Sequence, residues 1–299
     1  MWQLFALGSV VTAAGHNIVD KVALVTDKKI DFTAATFWRF FIFTVLVGVV
    51  GLLGWAGPVE IVFTPLLALL ALVSLTNGLF YTYLLEHVEV TSIGALYYFP
   101  PFLFLAIDTV VLQTSLSPSE IAGIILLVLG GLGFALDGKT HRMKKEFSKL
   151  VWAMFAFNVL FMGLQAYLFK YMNTEYGTSS ASFLVSYGVL AVFGLLCIQI
   201  ARGKFRALWT HPARIYIPRI AISKGFDAVS AILWTQALTL AAVSQVTAMN
   251  ALAPLVLFIG TVFAQKVLRM RVEERLGRVR MEWKAAAVCF LVAGGMLVG

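Results

Sequence analysis

The sequence has few charged residues and little cysteine. Only 13% of its 299 residues are charged, whereas soluble domains carry about 25%. Hydrophobic residues make up 60% of the chain, and the mean hydropathy is +0.89. These values exclude an ordinary soluble globular protein. The two cysteines, Cys197 and Cys289, both fall in apolar stretches, so we expect neither a disulfide framework nor a zinc site.

The motifs of nucleotide-dependent and metal-dependent enzymes are absent as well. The sequence has no GxxxxGK[ST] loop and no HExxH pair, and its histidines are scattered at His16, His87, His141 and His211. We therefore expect no enzymatic activity, no metal and no cofactor. Any work that the protein does must draw on an ion gradient or a solute gradient.

Apolar sequence long enough to span a bilayer is abundant. A transmembrane helix needs about 20 apolar residues, and ten segments reach that length: 2–22, 33–55, 63–85, 91–113, 119–137, 150–171, 179–201, 219–239, 244–266 and 282–299. The first segment lacks a basic start and a small-residue cleavage site, so it should remain as a span. The predicted fold is an all-α integral membrane protein with ten transmembrane helices.

The basic residues indicate how this bundle is oriented. Of the 23 Lys and Arg residues, all except Lys170, Arg39 and Lys224 fall in loops on one face of the ten segments. By the positive-inside rule that face is cytoplasmic, so both termini lie outside. These basic loops should contact anionic lipid headgroups, so the bilayer is the expected partner and nucleic acid is not. We expect a multi-pass protein of the plasma membrane, which in bacteria is the inner membrane.

An internal repeat divides the chain into two halves. The segment from Gly78 to Pro101 is weakly similar in sequence to the segment from Ala231 to Pro254. In both copies proline interrupts the second apolar helix, at Pro100 and Pro101 in the first and at Pro254 in the second. The basic run 138–149 is the predicted linker between a first five-helix half, 1–137, and a second, 150–299. Because five is odd, the halves must be inverted, and interrupted helices at matching positions are typical of a transporter binding site.

The arrangement of these features resembles a known family along the whole chain. The two halves, the basic linker, Arg39 in the second segment and the recurring proline-broken helix resemble the EamA-type ten-helix branch of the drug/metabolite transporter superfamily. The resemblance implies alternating-access export of amino acids or similar small solutes, with protons as a coupling ion to be considered. Many members carry a glutamate–arginine pair after the fourth helix, but this chain has Gln113-Thr114-Ser115 there. Whatever function the glutamate has in those members is therefore not assigned to this chain.

Other functions remain open from the sequence. They are uptake of a cationic small solute, movement of a lipid-linked carrier, and a scaffold that transports nothing. The bundle could act as a monomer or as a homodimer, because ten helices can enclose a cavity without a partner.

Ionisable residues within the second and eighth segments are candidates for substrate binding or coupling. Lys224 and Asp227 are three residues apart and can form a salt bridge on one helical face. Together with Arg39 they could line a central cavity, since charge inside a membrane helix is costly and marks function by default. The alternative is a structural ion pair, with Arg39 extending toward the headgroups.

A second polar group lies in the first segment. His16, Asn17 and Asp20 are spaced to share one helical stripe, and a histidine beside a carboxylate suits proton coupling. In the alternative interpretation, Asp20 pairs with Lys21 while His16 and Asn17 bond to neighbouring helices.

Polar and aromatic side chains in the third and fourth segments, with their counterparts in the repeat, complete the predicted site. They are Asn77, Tyr81, Tyr97, Tyr98, Trp234 and Asn250. Such a wall could hold an apolar or cationic solute by stacking and cation–π contact, although ordinary packing explains any single member equally well. Asn158 and Gln165 in the sixth segment add polar groups without a distinctive spacing.

Overall fold

The computed structural model is helical throughout the regular structure that it describes. It describes residues 1–26, 31–87, 100–135, 149–209, 211–253, 255–257, 259–260 and 281–298. Within these ranges no strand is present, so the all-α prediction is confirmed.

Ten helical segments follow one another along the described ranges, and each overlaps one of the predicted segments. They are α1 (Trp2–Thr26), α2 (Phe32–Leu52), α3 (Pro65–His87), α4 (Pro100–Ala106, continued by a π-helical turn at Ile107–Val111), α5 (Pro118–Ala135), α6 (Lys149–Tyr176), α7 (Ser180–Ala201), α8 (His211–Leu240), α9 (Val243–Ala248, continued by a 3-10 turn at Met249–Leu252) and α10 (Met281–Val298). The largest difference is in α8, which starts at His211 rather than at 219 and contains Pro218. The apolar pattern missed this extension because Arg214 and Arg219 interrupt it.

Two of the described helices are long and apolar enough to span a membrane by themselves. These are α2, with a mean hydropathy of 1.9, and α7, with 2.2. Shorter apolar stretches lie in α3, α4, α5, α9 and α10. Many large apolar side chains, such as Leu52, Val110 and Phe193, are exposed on the outside of the bundle, where they suit contact with lipid. We call the end of the bundle where α1 begins and α2 ends the outer end, following the positive-inside prediction, and the opposite end the inner end.

Contacts between the helices repeat with a period of five helices. Helix α1 packs on α8 and α3 packs on α6, while α2 packs on α8 and α3 on α7. Three further contacts, α2 with α7, α4 with α9 and α5 with α10, join each helix to the one five places along. When five is added to each helix number, counting on from ten to one, the α1–α8 contact becomes α3–α6 and the α2–α8 contact becomes α3–α7. Each of the other three contacts becomes itself.

The α5–α10 contact depends on glycine. A methyl group on Gly294 of α10 would lie 2.7 Å from the backbone nitrogen of Leu127 and 2.8 Å from the backbone oxygen of Gly123, both in α5. The next residue, Gly295, has no neighbouring atom within 4 Å of such a methyl group. Small residues let two membrane helices approach until their backbones touch. In α10 the face that carries Gly294 makes this contact, and the face that carries Gly295 does not.

Asp31 starts α2 at the inner end. Its carboxylate accepts hydrogen bonds from the backbone N–H groups of Thr33 and Ala34, at 3.1 and 3.3 Å, which satisfies two donors of the first helical turn. The Lys204 ammonium lies 2.9 Å away. Burial raises the pKa of the Asp31 carboxyl, but the hydrogen bonds from Thr33, Lys204 and Ala34 outweigh burial and lower the pKa to about 2.

Candidate functional site

A cavity of about 300 Å³ lies inside the bundle. Its walls come from α1, α2, α3, α6, α7, α8 and α9, so both halves of the chain contribute. Eight of the residues predicted from the sequence line it: His16, Asn17, Arg39, Asn77, Lys224, Asp227, Trp234 and Asn250.

The remaining predicted residues have other positions. Asp20 lies beside the cavity and does not line it. Pro100 and Pro101 are buried at the start of α4, away from the cavity lining. The positions of Tyr97, Tyr98 and Pro254, and the side chain of Tyr81, lie outside the described part of the chain.

Asp20 joins three helices. Its side chain in α1 is 0% exposed, and the carboxylate forms a salt bridge with the Arg39 guanidinium of α2. The hydroxyl of Ser223 in α8 donates a hydrogen bond to the same carboxylate. The alternative in which Arg39 extends to the headgroups is therefore wrong, because the buried Asp20 carboxylate provides the countercharge that Arg39 would otherwise find at the membrane surface.

His16 lies between two carboxylates. Its Nε2 atom is 3.4 Å from Asp20 Oδ2 and 3.9 Å from Asp227 Oδ2, and its Nδ1 atom is 2.8 Å from Ser223 Oγ. The Ser223 hydroxyl has one proton, which goes to Asp20 because a carboxylate is the stronger acceptor. His16 Nδ1–H then donates to Ser223, and Nε2 is the atom at which His16 can take up a further proton.

Lys224 and Asp227 form the ion pair that their spacing predicts. The Lys224 ammonium lies 2.6 Å from Asp227 Oδ2, within one turn of α8. Both side chains line the cavity, but Asp227 is 31% exposed and Lys224 only 6%. The carboxylate is therefore the more accessible half of the pair.

Amides and aromatic rings form the uncharged part of the lining. The Asn77 amide of α3 donates to Asn158 Oδ1 of α6 at 3.4 Å, and the Gln165 amide donates to the Tyr187 hydroxyl of α7 at 3.1 Å. Among the described residues, Asn77 Oδ1 is a buried acceptor with no hydrogen-bond partner. Trp234 belongs to the same lining. This part of the cavity offers apolar surface together with a few polar groups that can fix the orientation of a solute.

Several lining residues were not predicted as site residues. They include Ser9, Thr36, Ser74 and Tyr187, whereas Asn158 and Gln165 were noted in the sequence as polar groups without a distinctive spacing. Most are single hydroxyls or amides in apolar helices, where the same residue types also join helices, as the 3.0 Å contact between Ser9 and Ser230 does. Tyr187 had one usable signal, because it is a phenol within a long apolar run.

A separate polar cluster lies at the outer end of the bundle. Asp108, in the π-helical turn of α4, accepts hydrogen bonds from the Tyr167 hydroxyl at 3.0 Å and from the backbone N–H of Ser244 at 2.7 Å. It thereby caps the first turn of α9 from another helix. Nearby, the Lys170 ammonium donates to the Ala241 carbonyl at 2.9 Å. These bonds connect α4 and α6 to the start of α9.

The charged groups of the described residues do not form a metal site. No group of three or more His, Cys, Asp or Glu side chains is placed to hold a metal ion in those ranges. Instead, each of the two carboxylates near the cavity has a basic partner, Arg39 for Asp20 and Lys224 for Asp227.

An internal cavity with paired charges, lined by helices from both parts of the chain, is a feature that a membrane carrier for solutes requires. The fold has a counterpart among solved structures, where 28 chains match. One crystal structure has a TM-score of 0.63 and 13% sequence identity, and the match covers 97% of this chain and 96% of the other. At that identity the likeness concerns the fold alone.

The sequence itself matches a known family. Residues 1–136 match the model of the EamA-like transporter family, which belongs to the drug/metabolite transporter superfamily. This match confirms the resemblance noted from the sequence over residues 1–136. Members of the family are multi-pass membrane transporters of small solutes, so the match supports a transporter rather than an enzyme. No curated protein matches the chain in sequence.

Proposed function

We propose that the protein is a secondary transporter that exports amino acids or similar small organic solutes across the plasma membrane by alternating access. The observation that carries this proposal is the cavity itself. It combines ionisable side chains from α1, α2 and α8 with the amides and the indole ring on its other walls. A solute with both polar and apolar parts can be held there away from lipid.

The contacts between helices support the alternating-access part of the proposal. The period of five helices is what two inverted five-helix halves, 1–137 and 150–299, would produce, with 138–149 as the linker between them. In that arrangement the cavity lies between the halves. Rocking one half against the other would open the cavity to each side of the membrane in turn.

The volume of the cavity favours a small solute over a lipid-linked carrier. Ligand pockets span roughly 300–1,000 Å³, and this one lies at the lower limit. A molecule of amino-acid size fits such a space. A lipid-linked sugar would need a larger volume and a lateral opening for its chain.

His16 is the proposed site of proton coupling. Its Nε2 atom lies 3.4 Å from Asp20 Oδ2 and 3.9 Å from Asp227 Oδ2, so a proton taken up at Nε2 would lie between two carboxylates next to the cavity. Release of that proton on one side of the membrane and uptake on the other would connect solute movement to a proton gradient.

Transport by purified protein in liposomes tests the proposal. Vesicles loaded with an unlabelled panel of amino acids, amines, nucleosides and sugars should exchange them for the matching labelled solute in at least one class. The variants His16→Gln, Lys224→Gln and Asp227→Asn should each reduce that exchange at least tenfold. Gly295→Ala is the matched control, since that residue contacts nothing across its helix face. If all three site variants transport as fast as the control at equal protein level, the cavity is not the transport site.

A further inference from the structure

We propose that the cavity selects a zwitterion, a solute with one ammonium and one carboxylate group, and that Lys224 and Asp227 divide these two charges between them. The proposal rests on the transport function above and names the chemical class that this site takes. In the bound state the solute carboxylate would pair with Lys224 and the solute ammonium with Asp227.

The balance of charge around the cavity is the first argument. Two carboxylates, Asp20 and Asp227, are matched by two cations, Arg39 and Lys224. With a neutral His16 imidazole, the formal charge of this group is therefore zero. A solute of net charge zero preserves that balance. A cation or an anion would leave one uncompensated charge in a cavity whose walls are largely apolar, which is costly.

The unequal accessibility of the two ion pairs shows which one a solute can meet. Asp20 has no exposed side-chain surface, and Arg39 is 7% exposed and bonded to it, so this pair is enclosed by its three helices. Asp227 is 31% exposed and its pair with Lys224 lies on the cavity wall. The two cations are about equally covered, with Arg39 at 7% and Lys224 at 6%, so Asp227 is the accessible group, and a solute that pairs with Asp227 frees Lys224 for the opposite charge.

The geometry of the pair suits insertion of a zwitterion. Lys224 and Asp227 are neighbours on one face of α8, and their charged atoms are 2.6 Å apart. A solute that opens this contact can give each of them a new partner of opposite sign, so that no charge is left unpaired. An amine alone would satisfy Asp227 and leave Lys224 without a countercharge. A carboxylic acid alone would do the reverse.

The remaining walls indicate where the rest of the solute lies. Phe43, Phe161, Met162 and Trp234 give the lining an apolar part, and the amides of Asn77 and Asn250 interrupt it. An apolar side chain on the zwitterion can lie against these residues. Asn77 Oδ1, which has no partner among the described residues, is an additional acceptor for an N–H group.

A matched set of probes tests the proposal directly. Leucine, 3-methylbutylamine and 4-methylpentanoate share an apolar chain and differ in carrying both charges, only the ammonium or only the carboxylate. Phenylalanine, phenethylamine and 3-phenylpropanoate form the same set with a larger chain. Binding to the full-length protein in lipid nanodiscs, measured by calorimetry, should be at least tenfold tighter for the zwitterion than for either analogue in at least one set.

Single neutralising substitutions should change the preferred charge. Lys224→Gln leaves Asp227 without its cation, so this variant should prefer the amine over the zwitterion. Asp227→Asn leaves Lys224 without its anion and should prefer the carboxylate. The double variant Lys224→Gln/Asp227→Asn removes both charges together, avoids an unpaired buried charge and should bind none of the three preferentially. It also shows whether loss of preference in a single variant comes from misfolding.

The outcomes separate this proposal from the transport function. Equal binding of a zwitterion and its amine or acid by the unsubstituted protein overturns the inference, as does failure of both zwitterions to bind. In either case, exchange of some other solute in liposomes would leave the transport proposal intact. If no solute of the panel exchanges at all, transport by this cavity is the proposal that fails.

Discussion

Asp20 and Arg39 neutralise each other inside the bundle, where Asp20 has no exposed side-chain surface and Arg39 is only 7% exposed. Burying a charged pair costs desolvation energy that the mutual attraction offsets only when the contact is close and the remaining polar atoms are bonded. Here Ser223 supplies one of those additional bonds. Because the pair connects α1 with α2, its loss should be felt in the packing of the bundle as well as in the site.

Removing one partner of this pair should strongly destabilise the protein. Asp20→Asn or Arg39→Gln leaves the other charge buried without compensation, which costs about 3–5 kcal/mol of the free energy of unfolding. The double variant should lose much less than the sum of the two single variants. Unfolding followed by circular dichroism in a denaturing-detergent titration gives these values. Single variants that each lose under about 1 kcal/mol would contradict a tightly coupled buried pair.

Asp31 should make stability depend on pH only in strongly acidic solution. Its carboxyl has an ordinary pKa of 3.8, and in the folded protein the pKa is lowered to about 2. A lowered pKa means that ionised Asp31 stabilises the fold above about pH 4. This contribution should decline as the pH falls through 3.8 and disappear near the folded-state value of about 2.

The comparison with Asp31→Asn isolates this effect, because asparagine still caps a helix but carries no charge. The difference in unfolding free energy between the two proteins should be constant from pH 7 to about pH 5 and vanish near pH 2. A difference that persists unchanged at pH 2 would show that the carboxylate charge contributes nothing.

At the scale of the helices, α5 and α10 form a contact in which backbone touches backbone. Side chains of ordinary size could not fit between Gly294 and Leu127, so position 294 requires a residue without a side chain. The two neighbouring glycines of α10 differ in this respect, which provides an internal comparison.

Gly294→Ala should destabilise the protein, whereas Gly295→Ala should not. The added methyl group at Gly294 meets backbone atoms at 2.7 and 2.8 Å and must force the helices apart, while at Gly295 it meets open space. Overpacking of this kind costs about 1–3 kcal/mol. Thermal unfolding of the purified proteins measures the difference. Equal melting temperatures for the two variants would show that α5 and α10 adjust without strain.

The sequence predicted the helices better than it predicted their partners. Hydropathy depends on each segment alone, and it located all ten segments, missing only extensions such as the polar start of α8. The Lys224–Asp227 pair was predictable for the same reason, since both residues lie on one helical turn. The partner of Asp20 was not, because Arg39 reaches it only through the packing of two helices. Tyr187 likewise becomes part of the cavity only when α7 packs against its neighbours.

At the scale of the whole molecule, the direction in which the chain enters the membrane is set by its loops. The 20 basic residues at one predicted face, all those except Lys170, Arg39 and Lys224, predict that both termini are extracytoplasmic. A C-terminal fusion to alkaline phosphatase should therefore be active and a fusion to green fluorescent protein dark. Fusions placed after Lys145, in the linker, should show the opposite result. The same pattern at both positions would refute the predicted orientation.

The pairing of Lys224 with Asp227, and of Arg39 with Asp20, also determines how the membrane voltage acts on this protein. A potential of 100 mV does about 2.3 kcal/mol of work on each elementary charge that crosses it. Four charged side chains that sum to zero exchange no net energy with that field when the empty cavity turns from one side to the other. A zwitterion leaves the sum unchanged. With a neutral His16, both the loaded and the empty steps would then be electrically silent, and the cell's voltage would neither drive nor retard them.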